Sequence, residues 1–242
     1  MAKKTYFNWS TGKDSALALY HILKNPEFEI SHLITTINAH FNRVSMHGLR
    51  RELMEAQINA TGIAFSTIEL PEQPNMEEYE MLMTAAIQPL VAAGYKDCAF
   101  GDIFLEDLRK YREDQLAKIG IKGHFPLWKR DTKELLSEFL DLGFQSIVIC
   151  AKSELLDASF CGRIIDRDFI NDLPDNVDPC GENGEFHTFC FDGPIFSQPI
   201  DFEIGETVFK AYKNPENCGG DSNERPKPEM GFWYTDLLPK KH

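Results

Sequence analysis

The stretch Thr5-Tyr6-Phe7-Asn8-Trp9-Ser10-Thr11-Gly12-Lys13-Asp14-Ser15-Ala16-Leu17 decides the fold of this chain. An aromatic, β-prone run ends at Asn8, small and polar residues follow, and the apolar spacing from Leu17 to Leu23 is typical of a helix. A loop of small residues lets backbone N–H groups approach an anion, and the helix behind it adds a positive N-terminus. We therefore expect a phosphate-binding loop, to which Lys13 adds a cation and Ser15 a hydroxyl donor.

This loop is not a Walker A loop. That pattern needs a glycine five positions before Gly12, where Phe7 stands, and Ser or Thr directly after the lysine, where Asp14 stands. The simpler alternative is a polar turn with a chance lysine. Thr11 is β-branched and disfavours a positive φ, so we expect the loop either to keep Thr11 in an ordinary φ/ψ region or to bear strain there.

Composition restricts the class of protein. The chain has 242 residues, enough for one large domain or two unequal ones, and a formal net charge of −13, which counts against a nucleic-acid surface. No apolar run approaches the roughly 20 residues of a membrane span, and the first residues lead into a strand rather than a signal peptide. We expect a cytoplasmic protein that binds neither membrane nor nucleic acid stably.

The six cysteines form no Cys-x-x-Cys pair, so neither a zinc site nor a redox dithiol is indicated; they are Cys98, Cys150, Cys161, Cys180, Cys190 and Cys218. Cys98 and Cys150 stand in apolar runs and are expected in the core.

The first half of the chain alternates strands and helices. Strands are predicted at 32–38, 65–70 and 98–103, and helices at 48–61, 76–93 and 106–119. This order favours a parallel sheet with helices on both faces and ligands at the carboxyl ends of the strands. Asp102 stands at such an end, where it would either hold Mg²⁺ on a triphosphate or cap the following helix.

The pattern changes around residues 120–128, which we interpret as a domain junction. We predict an α/β N-terminal domain over residues 1–125 and a smaller α+β domain over residues 126–242. The second domain is predicted to contain helices at 132–142 and 160–171, strands at 146–151, 186–191, 202–212 and 231–238, and a mobile polar loop at 214–228.

A second cluster of chemistry-bearing residues lies at 180–194, where Gly181, Glu182, Gly184, Glu185 and His187 fall within a few positions. Such a group could coordinate a metal, position a nucleophile or bind a cation. The alternative is a tight turn at Asn183-Gly184 flanked by exposed glutamates.

Two motifs resemble those of a known family. Ser-Thr-Gly-Lys-Asp-Ser at 10–15 resembles the Ser-Gly-Gly-Lys-Asp-Ser loop of the ATP-pyrophosphatases, apart from Thr11. Gly-Glu-x-Gly-Glu-Phe-His-Thr at 181–188, with Asp-Gly-Pro at 192–194, matches the second signature of the diphthine ammonia ligase family, a branch of those enzymes. Because further matches run along the chain, it is identified as a member of that family, which implies a Rossmann-like (HUP-like) ATP-pyrophosphatase domain.

The resemblance implies roles for particular residues. The ATP phosphates would contact Ser10, Thr11, Gly12, Lys13, Asp14 and Ser15. The nucleoside would contact Asn38, Ser45, Met46, His47 and Gly48. The substrate would face Gly181, Glu182, Gly184, Glu185, His187 and Thr188. Catalysis would use Lys13, Asp102, Glu182, Glu185 and His187, with Asp102 as the candidate ligand of Mg²⁺. Arg109, Arg112 and Glu113 are weaker candidates, which surface helix charges would equally explain.

The resemblance also implies a reaction. A carboxylate would attack the α phosphate of ATP, pyrophosphate would leave, and ammonia would displace AMP to form an amide. Glu185 or His187 would deprotonate ammonium or orient ammonia. Since removal of Met1 would expose Ala2 and not a cysteine, and no length remains for a glutaminase, we expect ammonium to be used directly.

Several alternatives stay open at this stage. The chain could instead modify RNA, as related pyrophosphate-loop enzymes do, or bind ATP without catalysis. The carboxylate could be a small molecule or a modified protein side chain such as diphthine, and a homodimer is possible.

Overall fold

The computed structural model describes residues 2–45, 47–212 and 230–240. The predicted nucleoside contact Met46, the polar loop 214–228 and Cys218 lie outside the described residues.

The first sheet contains five parallel strands and one short antiparallel strand. In chain order the strands are β1 (Lys3–Asn8), β2 (Phe28–Asn38), β3 (Arg43–Val44), β4 (Ala64–Leu70), β5 (Asp97–Ala99) and β6 (Lys122–His124), and the helices are α1 (Lys13–Leu23), α2 (Arg51–Thr61), α3 (Met76–Ala92) and α4 (Glu106–Lys118). The parallel order is β4-β2-β1-β5-β6, with β3 against the end of β2. The chain therefore reverses its direction across the sheet at β1, the position where open α/β sheets bind ligands.

The structure corrects one predicted strand in this half of the chain and adds one that was not predicted. The predicted strand 98–103 ends at Ala99. The chain then leaves the sheet and packs against the start of α1. Gly101 lies so close to this helix that a Cβ there would stand 2.9 Å from the Ser15 nitrogen. Residues 120–128, predicted as a junction, contain β6; its three residues include Gly123 and lack the apolar run that identifies a strand.

The second sheet is antiparallel, with order β8-β7-β10-β9. Its strands are β7 (Gln145–Lys152), β8 (Phe186–Asp192), β9 (Phe202–Tyr212) and β10 (Met230–Pro239), accompanied by helices α5 (Thr132–Asp141) and α6 (Arg167–Asp172). The predicted helix 160–171 is wrong over its first half. There the chain turns at Gly162, with φ 88°, and pairs with β7 through Ile164 before Asp166 caps α6.

Helix α1 lies between the two sheets. One buried cluster joins Phe7 of β1, Leu17 of α1 and Phe189 of β8. A second cluster covers the opposite face of the first sheet and includes Ile87 and Leu116. Because α1 contacts β8 directly, the loop before α1 faces residues from the second half of the chain.

Two further sequence predictions concern the core and the membrane. The cysteines that the structure describes are all free and buried, as predicted for Cys98 and Cys150. Within the described ranges, no helix is both long enough and apolar enough to cross a membrane.

Candidate functional site

The predicted phosphate loop has the geometry of an anion site. Helix α1 begins at Lys13, and its N-cap Gly12 has no side chain to satisfy the first turn. Within the loop, the Ser10 N–H donates to Ser15 Oγ at 3.2 Å and the Ala16 N–H donates to the Gly12 carbonyl at 3.0 Å. Among the described residues, the N–H groups of Asp14 and Ser15 have no acceptor, which leaves them available to an anion.

Of the two backbone conformations expected for Thr11, ordinary or strained, the structure shows the strained one. Its φ is 68°, in the left-handed region, and it is fully buried. Its carbonyl accepts from Gln57 Nε2 at 2.9 Å and from the Cys190 N–H at 3.0 Å, and its hydroxyl lies 3.4 Å from His47 Nε2. A strained backbone persists only where its surroundings fix it. Here three separate parts of the chain do so.

Gln57 was missed by the sequence analysis. It is a fully buried polar residue of α2 whose amide donates to the carbonyls of Thr11 and Cys190 and accepts from Trp9 Nε1 at 2.8 Å. The available signal was its helical spacing from Leu53, which puts a polar side chain on the apolar face of α2.

The predicted 181–188 segment lies against the phosphate loop. The Lys13 N–H donates to Thr188 Oγ1 at 3.0 Å, and a Cβ at Gly12 would stand 3.3 Å from that oxygen. The Lys13 ammonium also donates to the Cys180 carbonyl. The structure thus brings the two sequence clusters together at the N-terminus of α1.

Lys13 is almost fully buried, with 2% of its side chain exposed. Its ammonium contacts the Asp14 carboxylate at 2.7 Å. Burial acts to lower the pKa of Lys13, but the negative charges of Asp14 and Glu182 outweigh it and raise the pKa above its ordinary value. Lys13 is therefore a permanent cation at the base of the loop.

Asp102 does not cap the following helix, so that alternative is wrong. The N-cap of α4 is Leu105, without a side-chain cap. The Asp102 carboxylate instead forms an ion pair with Arg112, 2.7 Å from Nε, and is 14% exposed. Arg112 is thereby part of this region, whereas Arg109 and Glu113 pair with each other at 2.8 Å on the helix surface.

Glu182 binds the turn between β5 and α4, next to Asp102. Its Oε1 accepts from the N–H of Ile103 at 2.7 Å and of Phe104 at 3.4 Å. Burial raises the pKa of Glu182 to about 7, and the charges of Asp14 and Asp102 add to this rise against the opposing effect of the two N–H donors. Glu182 can therefore hold or release a proton near neutral pH.

Glu185 is not one of the exposed glutamates that the simpler interpretation of this segment required. Only 3% of it is exposed, and its Oε1 accepts from the Asp178 N–H at 3.1 Å and from Asn183 Nδ2 at 3.0 Å. The tight turn itself is present, since Gly181 and Gly184 have φ values of 71° and 82°. Glu185 therefore stabilises this turn from inside.

Two histidines lie beside the loop, with ring centroids 6.1 Å apart. The Leu49 N–H donates to Nδ1 of His47, which leaves Nε2 to donate to the Ser10 carbonyl at 2.9 Å. Burial, with a contribution from His187, lowers the pKa of His47 to about 4, so His47 is neutral at pH 7. Burial and then Lys13 also lower the pKa of His187.

A cavity of about 630 Å³ is lined by His47, whose ring contacts Ser10 of the phosphate loop, although no residue of that loop lines the cavity itself. The predicted nucleoside contacts Asn38, His47 and Gly48 line one side of it. The other side comes from β9 and β10 of the second sheet, and no sequence pattern identified it; it includes Glu206, Lys210, Tyr234 and Asp236. The volume is typical of a small-molecule site.

The predicted Mg²⁺ role of Asp102 can be tested against the donor set. Within the part of the chain that the structure describes, no group of three or more His, Cys, Asp or Glu side chains could hold a metal ion. Mg²⁺ bound with a nucleotide usually takes one or two carboxylates and otherwise water and phosphate. Asp102 is a single carboxylate of this kind, but Arg112 contacts both of its oxygens, Oδ2 at 2.7 Å and Oδ1 at 3.2 Å, so Mg²⁺ would have to compete with Arg112 for it.

Fold and site together define an α/β protein whose parallel sheet reverses direction at β1, with two N–H groups that are unpaired among the described residues at the start of the helix that follows. Residues 3–123 match the diphthamide synthase N-terminal domain, and residues 131–214 match the diphthamide synthase C-terminal domain. The chain belongs to the diphthamide synthase family.

Alignments with individual relatives cover less of the chain than the two family domains do. The chain is 32% identical over 110 residues to the diphthine–ammonia ligase of Danio rerio, a match that covers 43% of each protein. It is 28% identical over 110 residues to that of Homo sapiens, covering 43% of this chain and 41% of the human protein. The matched region thus spans about two fifths of the length of these relatives.

One solved structure is similar at low level. The U34-tRNA thiolase NcsA from Methanococcus maripaludis shares 19% identity with a TM-score of 0.35, covering 58% of this chain and 57% of that one. The fold assignment rests instead on the strand order described above.

Proposed function

We propose that the chain is an ATP-dependent ligase that joins ammonia to a carboxylate and releases AMP and pyrophosphate. A carboxylate oxygen attacks the α phosphorus, and pyrophosphate leaves with the electrons of the broken P–O bond. Ammonia then attacks the acyl carbon, AMP leaves, and a base takes the released proton. The supporting observation is the contact between the phosphate loop and the 181–188 segment, which places donors for phosphate beside Glu182.

The residues supply distinct parts of this reaction. The free N–H groups of Asp14 and Ser15, with the Lys13 cation, would stabilise charge on the departing pyrophosphate. Mg²⁺, when bound, would neutralise phosphate charge, and Asp102 would hold it. The cavity beside His47 would take the nucleoside.

Glu182 is the candidate general base that its surroundings favour most. A base works best when its pKa lies near the operating pH, and that of Glu182 is about 7. Glu185 and His187, the bases expected from the sequence, remain predictions. Oε1 accepts two hydrogen bonds in Glu182 as well as in Glu185, so these bonds do not separate the two candidates.

The substrate proposal rests on names and charge. The relatives are called diphthine–ammonia ligases, so diphthine is the first carboxylate to test. The net charge of −13 favours an acid that also carries a cationic group.

The test is turnover of ATP with ammonium, Mg²⁺ and a panel of carboxylic acids, with AMP, ADP and pyrophosphate measured separately. AMP formation that requires both acid and ammonium supports the proposal, and release of ADP overturns it. Lys13→Ala should abolish turnover. The matched control Lys110→Ala removes an exposed lysine, paired with Asp114 at 2.6 Å, and should leave turnover unchanged. ATP binding without AMP release would favour a non-catalytic protein.

A further inference from the structure

Asp236 of β10 connects the second sheet to the loop region of the first. Its carboxylate accepts from Arg43 Nη1 at 2.9 Å and from Arg50 Nη2 at 2.6 Å. Neither arginine nor Asp236 belongs to a motif that the sequence analysis singled out. All three are partly buried, with 26% of the Asp236 side chain exposed.

The position of Asp236 on its strand is irregular. Thr235 pairs with Thr207 and Leu237 pairs with Ile204, so two residues of β9 face the single residue Asp236. This is a β-bulge whose extra residue lies in β9, opposite Asp236, and such bulges occur often beside functional sites. The Asp236 side chain lines the 630 Å³ cavity and contacts Arg43 of β3, in the first sheet.

Arg43 connects Asp236 to the segment around Gly48. The same Nη1 atom that binds Asp236 also donates to the Gly48 carbonyl at 2.8 Å. Gly48 has a φ of 74° and is preceded by His47, whose Nε2 donates to the Ser10 carbonyl. Two sets of hydrogen bonds, joined by the covalent link between His47 and Gly48, therefore connect the second sheet to the phosphate loop.

Arg50 provides an internal comparison. It binds the same carboxylate through Nε, at 3.1 Å, and Nη2. Unlike Arg43, it makes no hydrogen bond to Gly48 within the described residues. The two arginines thus share the connection between sheets but differ in their contact with the loop.

The charge of Asp236 is stable. Burial acts to raise the pKa of Asp236, but hydrogen bonds from Arg50 and Arg43 outweigh it and lower the pKa to about 2. The carboxylate therefore stays ionised wherever the protein is folded and active.

We propose that Asp236 is a positioning residue that acts through Arg43. It holds Gly48 and His47, and through His47 the Ser10–Thr11 backbone, in the conformation that accepts the nucleotide. The nucleotide part rests on the proposed function, whereas the positioning part does not.

The positioning part is tested by amide hydrogen exchange without any ligand, in Arg43→Lys and Arg50→Lys. Lysine keeps the charge that attracts Asp236, but its side chain is one bond shorter than that of arginine, so its ammonium does not reach the position from which Arg43 Nη1 contacts both acceptors. The Ser45 and Gly48 amides, which donate to Thr36 and Val44, should exchange about three to thirty times faster in Arg43→Lys. In Arg50→Lys the change should stay below about twofold. Equal acceleration in both variants would show a connection between sheets and nothing more, and would overturn the proposal.

The nucleotide part is tested by the Kd and KM for ATP in Asp236→Asn. Both should rise about three- to thirtyfold while kcat changes less, and cooperative urea unfolding confirms that the variant is folded. The control Asp172→Asn breaks the Arg163–Asp172 ion pair, 2.9 Å long, on another surface and should change neither constant. Unchanged ATP affinity in Asp236→Asn would overturn this part. A wild-type protein that binds no ATP would instead overturn the proposed function, and hydrogen exchange would still decide the positioning role.

Discussion

Two loops meet at the N-terminus of α1, and both contain left-handed backbone. In the 181–188 segment the left-handed residues are Gly181 and Gly184, which adopt such φ values without steric cost. In the phosphate loop the residue is Thr11, whose β-branched side chain makes the same conformation costly. The same backbone requirement is met by residue type in one loop and by surroundings in the other.

The two loops differ in what fixes their backbone conformation: residue type in the 181–188 segment, and tertiary contacts in the phosphate loop. Contacts from α2, from β8 and from His47 fix Thr11. The shape of the phosphate loop therefore depends on groups far away in sequence, including a strand of the second sheet. Each of the following predictions removes one support from one of the two loops.

The largest effect is expected from Gln57→Ala. The substitution leaves the buried Trp9 N–H and Cys190 carbonyl without the partner they have now. Each such buried group costs about 1–3 kcal/mol, so the free energy of unfolding should fall by about 3–5 kcal/mol. Urea unfolding measures it, with the exposed Gln88→Ala as control, expected to change stability by less than about 0.5 kcal/mol. A loss near 1 kcal/mol in Gln57→Ala would mean that Gln57 does not support the loop.

The next effect comes from the glycine loop and uses two glycines with similar φ. A Cβ at Gly181 would stand 2.9 Å from the Phe186 carbonyl oxygen, whereas a Cβ at Gly184 would meet nothing within 4 Å. Gly181→Ala should lose about 2–4 kcal/mol of unfolding free energy, and Gly184→Ala only about 1 kcal/mol. Equal losses in the two variants would show that φ alone, and not close packing, governs this loop.

A third prediction concerns the pH dependence of the contact between Glu182 and the turn after β5. The pKa of Glu182 is raised from 4.5 to about 7, so the folded state binds this proton more tightly than the unfolded state. Its contribution to stability is therefore largest below pH 4.5 and is lost as the pH rises to about 7. Glu182→Gln keeps the acceptor for Ile103 but cannot ionise.

The measurement is the difference in unfolding free energy between Glu182→Gln and wild type at pH 5 and pH 8. The variant should gain about 1–3 kcal/mol relative to wild type between these two values. A difference that is independent of pH would show that Glu182 has an ordinary pKa.

Sequence reasoning was strongest where the chain is local. The strand, loop and helix around Gly12 were predicted because residue types and spacing specify them directly, and the family signature at 181–188 identified the second loop. Their contact was an expectation of the resemblance, since no local pattern encodes the bond from Lys13 to Thr188.

The features that sequence reasoning missed or predicted wrongly depend on partners distant in sequence. Strand β6 is too short to have a pattern of its own and exists because β5 offers it an edge. Residues 162–165 have helical spacing, but pairing with β7 prevails. Gln57 and Asp236 belong to no motif, because their contacts form only in the folded chain: Gln57 with backbone carbonyls, and Asp236 with two arginine side chains.

The smallest effect is expected from Thr11→Gly, which makes the phosphate loop resemble the glycine loop. Glycine removes the steric cost of the φ of 68°, but it gives the unfolded chain more freedom and loses a buried side chain beside His47. These terms oppose each other, so the unfolding free energy should change by less than about 1 kcal/mol. The carbonyl contacts with Gln57 and Cys190 do not depend on the side chain and should survive. An increase of more than about 2 kcal/mol in the free energy of unfolding would mean that the surroundings of Thr11 do not offset its strain. A decrease of more than about 2 kcal/mol would mean that the Thr11 hydroxyl, and not its carbonyl, holds the loop.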